Sequence, residues 1–366
     1  MKNAKFRLVF SLLLSTLSIS AWASEKLVIV TIDGMRWQEI FGGMDQKLLN
    51  DAKYTRGTQG LKNKFQDTDK LIEREKLFPF IWKTIAKEGQ IYGNRDQGSL
   101  VDVANTTLLS YAGYNELFTG FPDPKIVNNN PTDNPNENIF EYLNKKPGHK
   151  GKIAIFASWN TFNNILNEKR NGLLVNTTGD AFNFKGTQFK LLNDLQMLSA
   201  QPIGYRPDIF TYGAAREYLK AFRPKVLYIA LDETDDTAHY GWYDQYIKSA
   251  HANDAMLADL WNTLQSMDEY RGKTTLVVTT DHGRGGIGKP TWMHHGYNED
   301  KSNPVHIPES NQIWMAFMGP GIPVLGEVKN GPKIFQSQMA TTLTKILGVE
   351  FKPTHEVKEP ITSVFK

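Results

Sequence analysis

At 366 residues the chain can hold one large α/β domain or two ordinary ones. Its 40% hydrophobic and 22% charged residues exclude a fibrous or low-complexity protein. The absence of cysteine excludes disulfide staples, thiol catalysis and Cys-ligated metal sites.

The N-terminus stands apart from the rest. Lys2, Lys5 and Arg7 precede an apolar run over residues 8–21, and Ala21-Trp22-Ala23 resembles an A-x-A cleavage site. This reads as a secretory signal peptide over residues 1–23, so the protein is expected to be exported, periplasmic or secreted. The run is short and serine-rich, which argues against a retained membrane anchor. The formal charge of +3 is carried by those three cations: 42 − 3 leaves 39 against 39 acids, so residues 24–366 are formally neutral. Nothing in the charge points to a nucleic-acid polymer or an anionic membrane. No later segment is long and apolar enough to span a bilayer, and no motif sets the oligomeric state.

Residues 26–32 read as a buried strand that ends in Asp33-Gly34. A polar stretch to about residue 70 has weak periodicity and is expected to wrap the surface. Residues 77–89 read as an amphipathic helix ended by glycine, and 90–94 as a short strand. Residues 103–122 carry a hydroxyl cluster that leads into a short helical pattern stopping at Gly120. A hydroxyl at a helix N-terminus suits an anionic phosphoryl group, and it equally suits an ordinary cap. An Asn/Pro-rich loop over 128–136 precedes a helix at 138–145 and a buried strand at 151–157. Residues 160–204 are polar and aromatic with poor periodicity, which suggests a small cap or insertion. A helix at 206–222 leads into a strand at 225–230, which ends in Leu231-Asp-Glu-Thr-Asp-Asp-Thr-Ala-His239. A long helix at 243–270 leads into a strand at 274–280 that ends in Asp281-His282-Gly283. A strand at 312–318 and a helix at 335–347 complete the pattern. Alternating strands and helices predict a single α/β domain over 24–366, with a mostly parallel central sheet flanked by helices on both faces.

Three strands thus deliver Asp, Asp/His and Asp/His to one sheet edge, where open α/β sheets bind ligands. Carboxylates and imidazoles together suit a divalent metal such as zinc. Each motif alone is weak, because an Asp after a strand is often a turn or cap residue. His149, His251, His306 and His355 have no such setting and read as surface or hydrogen-bonded residues. The ordered set is more specific: it adds His294-His295-Gly296 to the three strand ends.

Thr31-Ile-Asp-Gly-Met-Arg36, Glu233-Thr-Asp-Asp-Thr-Ala-His239, Thr280-Asp-His-Gly283 and His295-Gly-Tyr-Asn298 resemble the metal-binding motifs of the alkaline phosphatase superfamily. The nearest branch is the nucleotide pyrophosphatase/phosphodiesterase type. The resemblance implies an alkaline-phosphatase-like fold and two divalent metal ions, most readily Zn2+. One ion would be held by Asp235, His239 and His295, the other by Asp33, Asp281, His282 and the nucleophile oxygen. His294 is the runner-up to His295, which begins the His-Gly-Tyr-Asn string. The family's nucleophile is a Ser or Thr at a helix N-terminus, about nine residues before a Thr-Gly. Counting back from Thr119-Gly120 gives Ser110, with Thr107 and Thr106 as alternatives; Ala112 stands where proline is common. Asn129 matches a phosphate-contacting asparagine of the branch, or is simply a loop residue.

The implied activity is hydrolysis of a small-molecule phosphate ester, such as a nucleotide or lipid-like diester, through a phosphoseryl or phosphothreonyl intermediate. A superfamily sulfatase would need a Cys/Ser-x-Pro-x-Arg motif, and Ser110-Tyr-Ala-Gly-Tyr114 lacks both the Pro and the Arg. Arg36 and Arg284 lie just beyond expected ligands. They would serve a monoesterase as a third cation, or else form structural salt bridges. The aromatic stretch from Trp159 to Phe189 would wall a second ester group. Phosphate monoester or phosphonate hydrolysis remains an alternative on the same site, and so does a non-catalytic, metal-stabilised binding protein.

Overall fold

The computed structural model describes residues 23–200, 204–297 and 305–365. The expected signal segment lies outside the described residues except for Ala23, and so does Asn298. Strands β1 (Lys26–Ile32), β2 (Gly89–Tyr92), β4 (Ile153–Ala157), β5 (Leu174–Asn176), β6 (Val226–Leu231), β7 (Thr274–Thr279), β8 (Met315–Met318) and β9 (Gly326–Glu327) form one sheet. Its order is β5-β4-β6-β1-β7-β8-β2-β9. Only β8 runs against its neighbours β7 and β2. Two further short strands, β3 (Val101–Asp102) and β10 (Ile334–Phe335), pair in parallel beside it.

The strands carry apolar residues on both faces because both faces are covered. On β1, Val28, Val30 and Ile32 enter one core while Leu27 and Ile29 enter the other. Alternation with a period of two sends successive side chains to opposite sides. On β6, Leu227, Ile229 and Leu231 join the first core, and Val226, Tyr228 and Ala230 the second.

This packing positions the site through register. The central strands β6, β1 and β7 are adjacent and parallel, with Ile32 opposite Leu231 and Thr31 opposite Thr279. Their carboxyl ends are therefore level, and the residues that follow each strand meet above the same edge.

Several expected elements differ in detail. The polar stretch after Asp33 contains four short helices, Trp37–Gly42, Gln46–Asn50, Thr58–Phe65 and Lys70–Leu77. None exceeds eight residues, too few turns for a periodic pattern to emerge. The helix expected over 77–89 is split at Phe78. A π-helical turn, Ile81–Ile85, runs into Ala86–Glu88 and ends where Gly89 opens β2. Residues 160–204 supply β5 at the sheet edge and the helix Thr187–Leu198, which packs on the helix Asp208–Phe222. Among the described residues no helix is long and apolar enough to cross a membrane.

Candidate metal centre and active site

Asp33 leaves β1 with its backbone N–H still bonded to Leu231 O at 2.9 Å. Gly34 then turns with φ of 58°, and its N–H donates to Asp281 Oδ1 at 3.1 Å. A Cβ at this position would lie 2.6 Å from Asp235 Oδ1, so the close approach of backbone to carboxylate requires glycine. Asp235 and His239 lie one turn apart on the helix Glu233–His239 and therefore share a face. That helix has no side-chain cap of its own. Asp208, at the start of another helix, accepts from Asp232 N at 2.8 Å and Glu233 N at 3.3 Å instead. Thr234 Oγ1 donates to Asp33 O at 2.6 Å and fastens this helix to β1.

Ser110 opens the helix Ser110–Thr119, and the residue before it, Leu109, supplies no side-chain cap. The helix lies against the end of β7. A Cβ on Gly113 would sit 2.4 Å from Asp281 O, so only glycine allows the approach. Gln336 Nε2 spans the seam, donating to Gly113 O at 2.9 Å and Asp281 O at 3.1 Å. The result places Ser110 Oγ 3.2 Å from His282 Nε2. Thr107, the alternative hydroxyl, donates to Ile126 O at 2.9 Å, and Thr106 is exposed. Asn129 Oδ1 accepts from Tyr111 N at 3.0 Å, so this loop residue caps the helix beside Ser110.

The expected ligands converge. His282 Nε2 lies 3.4 Å from both Asp33 Oδ1 and Asp281 Oδ2, and 3.8 Å from Asp235 Oδ1. His239 Nε2 lies 3.1 Å from Asp235 Oδ2 and 3.1 Å from His295 Nε2. The His282 and His295 rings stack at 3.7 Å. The ring of His294 is farther from His239 than that of His295, 6.1 Å against 5.1 Å. Each of the two buried imidazoles is oriented by a backbone acceptor. His282 Nδ1–H donates to Gly283 O and His295 Nδ1–H to Leu108 O, both at 2.9 Å. Both Nε2 lone pairs therefore face the cluster.

These donors fit cations. Asp33, Asp281 and His282 offer ligand atoms that all lie within 4.8 Å of one another, and so do Asp235, His282 and His295. His282 borders both groups. Asp33 Oδ1 and Asp281 Oδ2 are buried with no hydrogen-bond donor among the described residues. Buried acceptors without donors are costly, and a bound cation removes that cost. Burial, followed by the charges of Asp281 and Asp235, holds Asp33 well above the usual carboxylate range. Burial also raises Asp281. Burial pushes Asp235 the same way, but Arg284, His239 and His295 outweigh it and hold that carboxyl well below its ordinary value. Burial and the neighbouring His282 depress His295 strongly, which favours the neutral imidazole that ligates metal.

Of the two arginines considered as phosphate-binding cations, neither is free. Arg36 is buried against Glu39, lies 3.5 Å from Asp45 and donates to Gly285 O at 3.0 Å. Arg284 is buried against Asp235. The aromatic wall expected from Trp159 to Phe189 also differs. Phe162, Phe182 and Phe189 are buried in the two cores, where apolar packing outweighs exposure to a ligand. An exposed stacked pair, Tyr240 and Trp242, follows His239 instead, with ring centroids 4.9 Å apart. Sequence reasoning missed Tyr114, whose hydroxyl donates to Asp33 Oδ2 at 2.9 Å. The signal was available, since Tyr114 lies four residues after Ser110 and so on the same helix face.

A family model described as type I phosphodiesterase / nucleotide pyrophosphatase matches residues 43–300. No curated protein sequence matches the chain. Among solved structures, the chain is similar to the alkaline phosphatase PafA, with TM-score 0.56 and 12% identity over 94% of this chain and 99% of that one. It is similar to the phosphonate monoester hydrolase of Agrobacterium radiobacter, with TM-score 0.57 and 12% identity over 93% and 77% of the two chains. It is similar also to the 2-O GAG sulfatase BT1596, with TM-score 0.55 and 13% identity over 93% and 74%. At these identities the structural likeness establishes the fold, and the family match over most of the chain establishes the family. The chain has an alkaline-phosphatase-like fold and belongs to the type I phosphodiesterase/nucleotide pyrophosphatase family, whose members are phosphoric ester hydrolases.

Proposed function

We propose that the protein is an exported phosphodiesterase or nucleotide pyrophosphatase that uses Ser110 as nucleophile and two divalent cations, most readily zinc. The observation that carries this reading is Ser110 Oγ at the first position of its helix, 3.2 Å from His282 Nε2 and beside buried acceptors that lack donors. Asp33, Asp281, His282 and Ser110 Oγ would form one donor set, and Asp235, His239 and His295 the other. When bound, the cations neutralise phosphoryl charge and lower the pKa of a coordinated hydroxyl. Export rests on the residue pattern over 1–23.

Ser110 Oγ attacks phosphorus in line, the bond from phosphorus to the leaving oxygen breaks, and a phosphoseryl group forms. Water then attacks the same phosphorus and releases Ser110 and a phosphomonoester. The positive end of the helix dipole at Ser110 favours the anionic phosphoryl group. Asn129, held beside Ser110 by its Oδ1 on Tyr111 N, would offer its amide nitrogen as a further donor.

A diester is favoured over a monoester because Arg36 and Arg284 are both engaged by protein acceptors. A monoester presents more negative oxygen and would want such a cation. The Tyr240 and Trp242 pair offers a flat apolar surface for the second ester group. The decisive assay compares a phosphate monoester, a phosphate diester and a phosphonate ester with one chromogenic leaving group, after chelation and with or without added zinc. Zinc-dependent turnover led by the diester is expected. Preference for the monoester or the phosphonate would overturn the substrate class. Metal binding without turnover of any of the three would favour the non-catalytic reading.

A further inference from the structure

Arg284 follows Asp281-His282-Gly283, and its side chain is fully buried. Its guanidinium makes three separate attachments. Nε donates to Trp292 O at 2.9 Å, one terminal nitrogen donates to Met293 O, and the other pairs with Asp235 Oδ1. Trp292 and Met293 end the short turn Pro290–Met293, just before His295. Asp235 comes from the segment after β6. One planar cation therefore joins the two segments that carry Asp235 and His295.

The contact also sets how the carboxylate presents itself. With Oδ1 on Arg284, Asp235 turns Oδ2 toward His239 Nε2 at 3.1 Å, and Oδ1 remains 3.7 Å from His295 Nε2. A guanidinium suits this task because its donors form a fixed fork that reaches a carboxylate and two carbonyls together. An ammonium is a single point on a flexible stem. Arg36 makes a useful contrast. It holds the other end of the same loop at Gly285 O, but its carboxylate partners are Glu39 and Asp45, which lie outside the ligand cluster.

We propose that Arg284 is a positioning residue that fixes Asp235 and the turn before His295 relative to each other, and so preorganises the metal site they form with His239. It is not a substrate-binding cation. The inference rests on the two-cation reading above, and it adds selectivity: Arg284 serves one of the two donor sets, because Asp33 and Asp281 have their own anchors in Tyr114 and Gly34.

The test measures zinc affinity by competition with a chromogenic chelator, with circular dichroism to verify folding. The proteins are the wild type, Arg284→Lys, Arg284→Gln and Arg206→Lys. Arg206 is a buried arginine bonded to Asn176 Oδ1 and Ala157 O, away from the cluster. The wild type is expected to bind two zinc ions. Both Arg284 variants should keep one tight ion and bind the other about 10–100-fold more weakly, the usual range for a lost partner of a ligand. Arg206→Lys should lower the Tm and leave both affinities unchanged. Folded Arg284 variants with both affinities intact, or weakened equally at both sites, would overturn the proposal. Arg284 variants that fail to fold with or without zinc would overturn it too, since Arg284 would then be an anchor of the fold. A wild type that binds no zinc would instead sink the two-cation reading itself.

Discussion

The carbonyl of Leu108, two residues before Ser110, accepts the Nδ1–H of His295 at 2.9 Å. The segment that delivers the proposed nucleophile thus also fixes the tautomer of an expected metal ligand. Leu108 sits at φ of 55°, an unfavourable region for a leucine, so other bonds must hold it there. Asn105 Oδ1 accepts from Leu108 N at 2.8 Å. Glu116, two residues after Tyr114 on the same helix, accepts from Ala104 N, Asn105 N and Asn105 Nδ2 at 2.8–3.0 Å. Asn105→Ala should release Leu108 and leave its buried N–H unpaired, lowering stability by about 1–3 kcal/mol. The expected signature is a lower Tm together with weaker zinc binding. A lower Tm with unchanged zinc affinity would show that the loop and His295 are not coupled.

Ser110 and Thr107 are separated by their surroundings. Ser110 Oγ faces His282, whereas Thr107 Oγ1 is spent on Ile126 O. Ser110→Ala should lower kcat by about 10³-fold or more while zinc stoichiometry holds, because the nucleophile forms the covalent bond. Thr107→Ala should retain turnover and lose about 1 kcal/mol of stability, the worth of one buried hydrogen bond. Retained activity in Ser110→Ala, with loss in Thr107→Ala, would reverse the assignment.

Tyr114 supports the other donor set. Its hydroxyl is the donor to Asp33 Oδ2, and Asp33 Oδ1 has none among the described residues. Tyr114→Phe keeps the ring packed against Phe162 and removes only that donor. Zinc affinity at the Asp33 and Asp281 set should fall by about 10-fold or more, with kcat falling alongside. Chelator competition on Tyr114→Phe and Arg284→Gln should then show losses at different ions. Losses at the same ion would contradict the division into two sets.

How much of this was legible in the sequence follows from what each feature depends on. The strand ends at Asp33, Asp235 and Asp281 were readable because buried strands are continuous apolar runs, and the helix at Ser110 because Gly120 closes it. The parallel register of β6, β1 and β7 then brings those ends together without further information. The roles of Arg36 and Arg284 were not legible. Both choices, phosphate contact or structural pairing, are open to an arginine beside a ligand, and only the fold of the Gly285–His295 loop decides between them. The same limit applies to Phe162, Phe182 and Phe189, whose burial depends on partners distant in sequence, such as Tyr228 for Phe162, Arg206 for Phe182 and Phe222 for Phe189. Gln336 lies more than fifty residues from Asp281 and more than two hundred from Gly113, with no local pattern to mark it.

Asp254 offers a pH dependence remote from the cluster. Its carboxylate accepts from Phe80 N at 2.8 Å and Ile81 N at 2.9 Å, and so caps the segment that leads into the π-helical turn. Burial outweighs those two bonds and pushes the carboxyl up to about 7 from an ordinary 3.8. The folded state therefore holds a proton that the unfolded chain has already released. Its stabilising contribution is fully present below the unfolded value of 3.8 and is lost as pH rises through about 7. A shift of that size corresponds to at most about 4 kcal/mol across the window. Asp254→Asn keeps an acceptor for the backbone and cannot ionise. The difference in Tm, variant minus wild type, should rise steadily from about pH 4 to about pH 8. Reading the difference cancels other buried acids, such as Asp208, which burial raises to about 8. A difference that is flat, or that falls with pH, would mean that Asp254 is ionised in the folded protein throughout and is stabilised by its two backbone donors.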